Sequence, residues 1–185
     1  MTWQLVDLDR VPPQPWRNGG GTTRELLAWP TAGDWKVRIS VADVTAAGPF
    51  SRFAGLERWF AVLEGAGVVL DVAGGKHWLR PDSAPFRFDG AVPVDCTLID
   101  GPTRDFNLMA SPGSAGLRHL RREEQAFTTR GAGLLAVYAH GKPARATLEG
   151  DAIDVPARHL AWCRHDGRAS GVARGDGALL VEVHA

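Results

Sequence analysis

The chain has 185 residues, 44% of them hydrophobic, with 21 basic and 21 acidic side chains and a formal net charge of zero. That length suits one large domain or two small lobes, and the composition can bury a sizeable core. The charge balance leaves no electrostatic footprint for nucleic acid: the longest basic run, Arg121-Arg122, is followed at once by Glu123-Glu124 and reads as a solvated face.

The first residues, Met1 to Asp7, lack the basic segment and apolar run of a secretory signal. No stretch approaches the ~20 apolar residues of a membrane span. Cys96 and Cys163 are far apart and belong to no Cys-x-x-Cys pair, so they read as buried free thiols in a reducing compartment. The expectation is a cytoplasmic protein that engages neither membrane nor nucleic acid. Its 22 glycines and 12 prolines cut the chain into short pieces rich in Val, Leu, Phe and Trp. Such punctuation predicts an all-β barrel or sandwich.

In chain order, the first informative stretch is Trp16-Arg17-Asn18-Gly19-Gly20-Gly21-Thr22-Thr23-Arg24-Glu25. Three consecutive glycines are tolerated where the chain must reach positive φ or let another group approach the backbone. The neighbouring aromatic, amide, hydroxyl and charged groups suggest a loop lining a small-molecule pocket. A tight turn, with Asn18 favouring the left-handed region beside Gly19, is the plainer alternative. Residues 35–42 alternate: Trp35, Val37, Ile39 and Val41 form an apolar face, and Lys36, Arg38, Ser40 and Ala42 a polar one. Residues 48–55 form a turn-rich connection. A strand over 57–64 leads through Gly65-Ala66-Gly67 to an expected hairpin partner at 68–72. Further strands are predicted at 86–90, 94–99 and 105–109.

Ser111 to Gly116 has the composition of a linker, and the strand theme then repeats to His184. Two β lobes are expected, residues 1–113 and 114–185, with residues 2–8 free to be exchanged into the other lobe.

These motifs in series resemble the HutD/Ves family of double-lobed cupin-like proteins. The residues that carry the resemblance are Trp16, Asn18-Gly19-Gly20-Gly21, Thr23 and Glu25, then Arg38-Ile39-Ser40, Gly48-Pro49-Phe50-Ser51, Phe53, Gly55, Arg58, and Asp105-Phe106-Asn107 with Met109. The match spans residues 3–110; after residue 115 only the layout is shared. The resemblance implies a double-lobed cupin-like (bicupin) β-barrel. It also implies an accessory or regulatory role in histidine utilisation and a pocket for a small anionic metabolite such as formylglutamate or urocanate.

Cupins often hold a metal through His-x-His, Glu and a later His. Here no two of the six histidines are one residue apart, and the strand at 57–64 offers Glu57 and Arg58 instead. A fixed guanidinium repels a divalent cation, so neither metal nor other cofactor is expected. Arg38 and Arg58 are the candidate anion ligands, since guanidinium presents a planar fork to carboxylate; each could instead pair with Glu25, Glu57 or Asp105. Asn18 and Asn107 can both donate and accept, and Thr23 and Ser40 supply hydroxyls. Trp16 either packs or stacks, and Gly19 and Gly20 expose backbone.

The expected ligand-binding set is therefore Trp16, Asn18, Gly19, Gly20, Thr23, Glu25, Arg38, Ser40, Arg58, Asp105 and Asn107, with no catalytic residue assigned. Carboxylates beside arginines should have depressed pKa values, which makes Glu25 and Asp105 poor acids. The alternatives are a metal-independent isomerase or lyase using Glu25 or Asp105 as base, and a protein-binding scaffold. Exposed strand edges add a homodimer expectation.

Overall fold

The computed structural model describes residues 2–184, so the outermost residue of each expected lobe lies outside the described residues. The strands are β1 (Gln4–Asp7), β2 (Gln14–Pro15), β3 (Gly21–Pro30), β4 (Trp35–Val44), β5 (Gly48–Pro49), β6 (Glu57–Glu64), β7 (Val68–Val72), β8 (Gly75–Leu79), β9 (Phe86–Asp89), β10 (Val94–Leu98) and β11 (Thr103–Ala110). They continue as β12 (Ala115–His119), β13 (Gln125–Thr128), β14 (Gly133–Ala139), β15 (Ala144–Leu148), β16 (Asp151–Val155), β17 (His159–His165), β18 (Ser170–Arg174) and β19 (Leu179–His184). A single 3-10 turn, Leu8–Arg10, is the only helical element among the described residues. None of them forms a helix long and apolar enough to cross a membrane.

The chain divides into two compact units. One is Val11–Gly113; the other joins the segment ending at Arg10 to the segment beginning at Ser114. In the first, one sheet runs β2-β3-β4-β11-β6-β9 and the other β5-β10-β7-β8. In the second, read from its far edge, one sheet runs β12-β19-β14-β17-β1 and the other β13-β18-β15-β16. Advancing β4-β11-β6-β9 and β5-β10-β7-β8 by eight strands reproduces the second unit's order. The two units thus repeat one antiparallel plan. β1 adds to the second unit by pairing Gln4 with Trp162 through Asp7 with His159.

Each unit is a pair of sheets closed over an apolar filling, so its hydrogen bonding does not run round a continuous cylinder. In Val11–Gly113 the filling comes from both sheets: Phe60, Val62 and Phe88 from one, Val68, Leu70 and Cys96 from the other. In the second unit Leu135, Val137 and Leu180 meet Phe127, Ala146 and Leu148 in the same way. Burying one such large side chain stabilises by ~1.5–3 kcal/mol.

The hairpin expected between residues 57–64 and 68–72 does not form. β7 pairs with β8 and β10, in the sheet opposite β6. The physical reason lies in the turn, where Gly65 and Gly67 take φ of 97° and 115° and carry the chain from one sheet to the other.

The triple glycine does two jobs in the backbone. Gly19 takes φ of 71°, and the loop closes as Trp16 N–H donates to Gly21 O at 2.9 Å. Gly21 lies so close to β4 that a Cβ there would sit 2.4 Å from the Asp43 carbonyl oxygen. Gly21→Ala should therefore destabilise the protein by ~1–3 kcal/mol through overpacking. Gly33→Ala, with nothing within 4 Å of its added Cβ, should stay within about 0.5 kcal/mol of the parent. Urea denaturation of the two variants checks this, and equal midpoints would contradict it.

Candidate functional site

β11 lies between β4 and β6, and this register builds the site. Met109 stands opposite Arg38 on one side and Arg58 on the other. One step along, Asn107 stands opposite Ser40 and Phe60. Directly opposed residues share a face, so the two arginines project from that face two strands apart, about 10 Å between backbones. They line a cavity of about 800 Å³, within the usual range for small-molecule sites.

Arg58 is the most constrained group in this cavity. Its side chain is 6% exposed. Nη1 donates to the Ser51 carbonyl at 3.1 Å and Nη2 to Asn107 Oδ1 at 3.1 Å. Nε is buried without a hydrogen-bond partner. The guanidinium lies 5.1–5.5 Å from the ring centres of Phe50, Phe53 and Phe88, a cation–π cage. Among the described residues its hydrogen-bond partners are uncharged. Burial, with the Arg38 charge adding to it, lowers its pKa to about 10; the side chain remains a cation at neutral pH.

Arg38 is held differently. Its Nε donates to Glu25 Oε2 at 2.6 Å, and its guanidinium lies 5.9 Å from the Trp35 ring. Trp35 also meets Phe53, so it leaves the apolar face expected for it; the β3–β4 register is irregular beside it, at Trp29/Pro30. The rest of that face behaves as the alternation predicts, with Val37, Ile39 and Val41 buried.

The structure brings Trp16, Asn18, Thr23, Arg38, Ser40, Arg58 and Asn107 together in the lining. Gly19, Gly20, Glu25 and Asp105 are not part of it. Gly19 and Gly20 shape the loop: Gly20 N–H donates to Asn18 Oδ1 at 3.1 Å, and its carbonyl accepts from Thr45 and Ala46. Glu25 spends its carboxylate on Arg38.

Asp105 points from the same face as Asn107 but one step deeper, opposite Ala42 and Val62, and is 0% exposed. Thr103 Oγ1 donates to its Oδ2 at 2.8 Å, while Oδ1 is buried without a partner. Its pKa is not depressed by an arginine. Burial, opposed by the Thr103 hydrogen bond and reinforced by the charge of Asp43, raises it to about 7. Its neighbour in sequence, Arg104, serves Asp43 instead: Arg104 Nε donates to Asp43 at 2.7 Å, and Arg24 Nη1 does so at 2.6 Å. Burial opposes ionisation of Asp43, but those two hydrogen bonds outweigh it and hold its pKa low.

Sequence reasoning missed Gln14, Pro15 and Arg17 as lining, and with them Phe50 and Phe53 of the turn-rich connection. Arg17 could have been found, since it stands inside the glycine-rich stretch. The role of the Ser51 carbonyl leaves no side-chain signal.

A family model described as HutD matches residues 9–181. The chain belongs to the HutD family. It is 41% identical over 114 residues to an uncharacterized 21.2 kDa protein in the hutC 3' region of Pseudomonas putida, covering 59% of this chain and 58% of that one. It is 34% identical over 130 residues to Protein Ves of Escherichia fergusonii, covering 69% and 68%. The solved structure of HutD from Pseudomonas fluorescens SBW25 superposes with a TM-score of 0.85 at 31% identity, over 99% of this chain and 98% of that one. The fold alone is shared with a Cupin 2 conserved barrel domain protein from Leptotrichia buccalis, at a TM-score of 0.57 and 9% identity over 97% of this chain and 96% of that one. The all-β, cupin-like fold expected from the sequence is the one found.

The cavity does not fit the divalent metal common in cupin barrels. No His, Cys, Asp or Glu lines it, and among the described residues no group of three such side chains could hold an ion. Three guanidiniums, those of Arg17, Arg38 and Arg58, line the space instead, and they repel a cation.

Asp105 sets a pH dependence of stability. Its folded pKa is above its unfolded value, so between about 4 and 7 the native state holds a proton that the unfolded chain releases. Its contribution is complete below pH ~4 and is lost as pH rises through 7, by roughly 4 kcal/mol at most, at ~1.4 kcal/mol per pKa unit. Asp105→Asn should remove that slope, so the variant gains on the parent progressively from pH 4.5 to pH 8. Urea midpoints across this range test it; parallel profiles would refute the assignment.

Proposed function

We propose that the protein binds a small anionic metabolite of histidine breakdown, of the formylglutamate or urocanate class, in the Val11–Gly113 cavity. In this reading it serves histidine utilisation as an accessory or regulatory component. The observation that carries the proposal is Arg58, a buried cation whose hydrogen-bond partners are the Ser51 carbonyl and the Asn107 amide. A buried charge is costly unless paired; a ligand carboxylate reaching Arg58 and the free Nη groups of Arg38 would supply the missing charge. Membership of the HutD family supports the metabolic setting.

Catalysis by an internal base is less favoured. Glu25 is committed to Arg38, and Asp105 lies beneath the lining with no exposed surface.

Isothermal titration with N-formylglutamate and urocanate is the direct test. Arg58→Gln should weaken the tighter of the two by ~2–4 kcal/mol, as expected for truncating one member of a buried charge pair. Unchanged affinity in a folded Arg58→Gln protein would sink the site assignment.

A further inference from the structure

The register of the sheet carries the cavity floor onto Asp105. Thr23, Ala42, Asp105 and Val62 stand opposite one another across β3, β4, β11 and β6, and the first two line the cavity. Along its own strand Asp105 is two residues, about 7 Å, from Asn107, the lining side chain that holds Arg58. Its flanks on β4 and β6, Ala42 and Val62, are buried and apolar. Thr103 Oγ1 donates to Oδ2, and Oδ1 is buried without a partner. The charged groups round it belong to other pairs. Asp43 projects from the far face of β4 and is bonded to Arg24 and Arg104; Arg104 also reaches Glu64 of β6. From β10 in the facing sheet, Cys96 lies within the field of Asp105. Burial first, and that carboxylate second, push its thiol up to about 12, so it stays a neutral neighbour. Of these neighbours, the Thr103 hydroxyl is the one that favours the ionised form.

We propose that Asp105 couples occupancy of the cavity to proton uptake: an anion seated on Arg38 and Arg58 holds the Asp105 carboxyl in its neutral form, and ionisation of that carboxyl weakens the hold on the anion. The inference rests on the anion-binding reading above and adds a control to it. The ligand carboxylate and that of Asp105 would lie about 10 Å apart, on one face of β11. At the effective dielectric of a protein, two like charges at that spacing change an affinity about 10-fold. Linkage makes the effect reciprocal: the anion raises proton affinity by the factor by which the proton raises anion affinity. Binding is therefore strongest below the Asp105 pKa of about 7 and declines as pH rises through it. Arg58, with a pKa of about 10, keeps its charge across that range, so loss of the cation is not the cause.

Titration calorimetry on the parent and Asp105→Asn tests this from pH 5.5 to 8.5, with the tighter-binding of N-formylglutamate and urocanate as the probe. Any titration of the probe is common to both proteins and cancels in the comparison. The parent should lose about 10-fold in affinity relative to the variant across this range. At pH 7.5, buffers of different ionisation enthalpy should show the parent taking up about half a proton more per bound probe than the variant. Thr103→Val removes the hydrogen bond that favours ionised Asp105, so it should move the parent's decline to higher pH; it stands as the second variant should Asp105→Asn fail to fold. Parallel affinity profiles and equal proton counts, with binding retained, overturn the coupling and leave anion binding intact. No binding of either probe at pH 5.5 overturns the anion reading, and the coupling with it.

Discussion

Burying the Arg58 guanidinium without a carboxylate beside it is the arrangement around which the Val11–Gly113 unit is organised. A lone buried charge is tolerated only when its donors are bonded and its surroundings are polarisable. Here a main-chain carbonyl and an amide oxygen take two of the donors, and three phenylalanine rings surround the plane. Those partners come from residues 50–53 and from β9 and β11. Each must be placed before the cation is acceptable, so the loop after β5 has to pack over β6. The nearby positive charge of Arg38 lowers the Arg58 pKa further, a second strain on the same group.

The placement depends on strand register. With Met109 opposed to both arginines and Asn107 opposed to Ser40, a slip of one residue on β11 would turn Asn107 and Met109 to the other face and bring Phe106 and Leu108 inward. The face that carries these groups is graded along its length. Arg58 is followed by Phe60 and Val62, and those two join the apolar filling. One end of the sandwich is thereby a core and the other a polar cavity, without any change of strand.

Much of this was legible in the sequence. The alternation over residues 35–42 places Arg38 and Ser40 on one side of a strand, and the structure agrees. Glycine and proline spacing gives the all-β class, and the motif series gives the family. What escaped was long-range. Period-2 patterning says which residues share a face but not which strands pair, so the turn at Gly65 and Gly67 was read as a hairpin when it joins two sheets. Charge proximity in sequence also misled for Asp105. Arg104 is its immediate neighbour and, by that alternation, projects from the opposite face, where it meets Asp43 and Glu64. Asp105 is left in an apolar interior with one hydroxyl for company. The Ser51 carbonyl could not be foreseen, because main-chain groups carry no residue signature.

The placement of β1 has a consequence for the order in which the molecule can be completed. Its partner is β17, so during synthesis β1 finds no ladder until residues 159–165 have emerged. The Val11–Gly113 segment, by contrast, contains all the strands of its two sheets in one uninterrupted run. During synthesis it can close first, while β1 remains an unpaired edge waiting on β17. A vulnerability to proteases and to mispairing during synthesis should therefore lie in β1, a strand made long before the one that seats it.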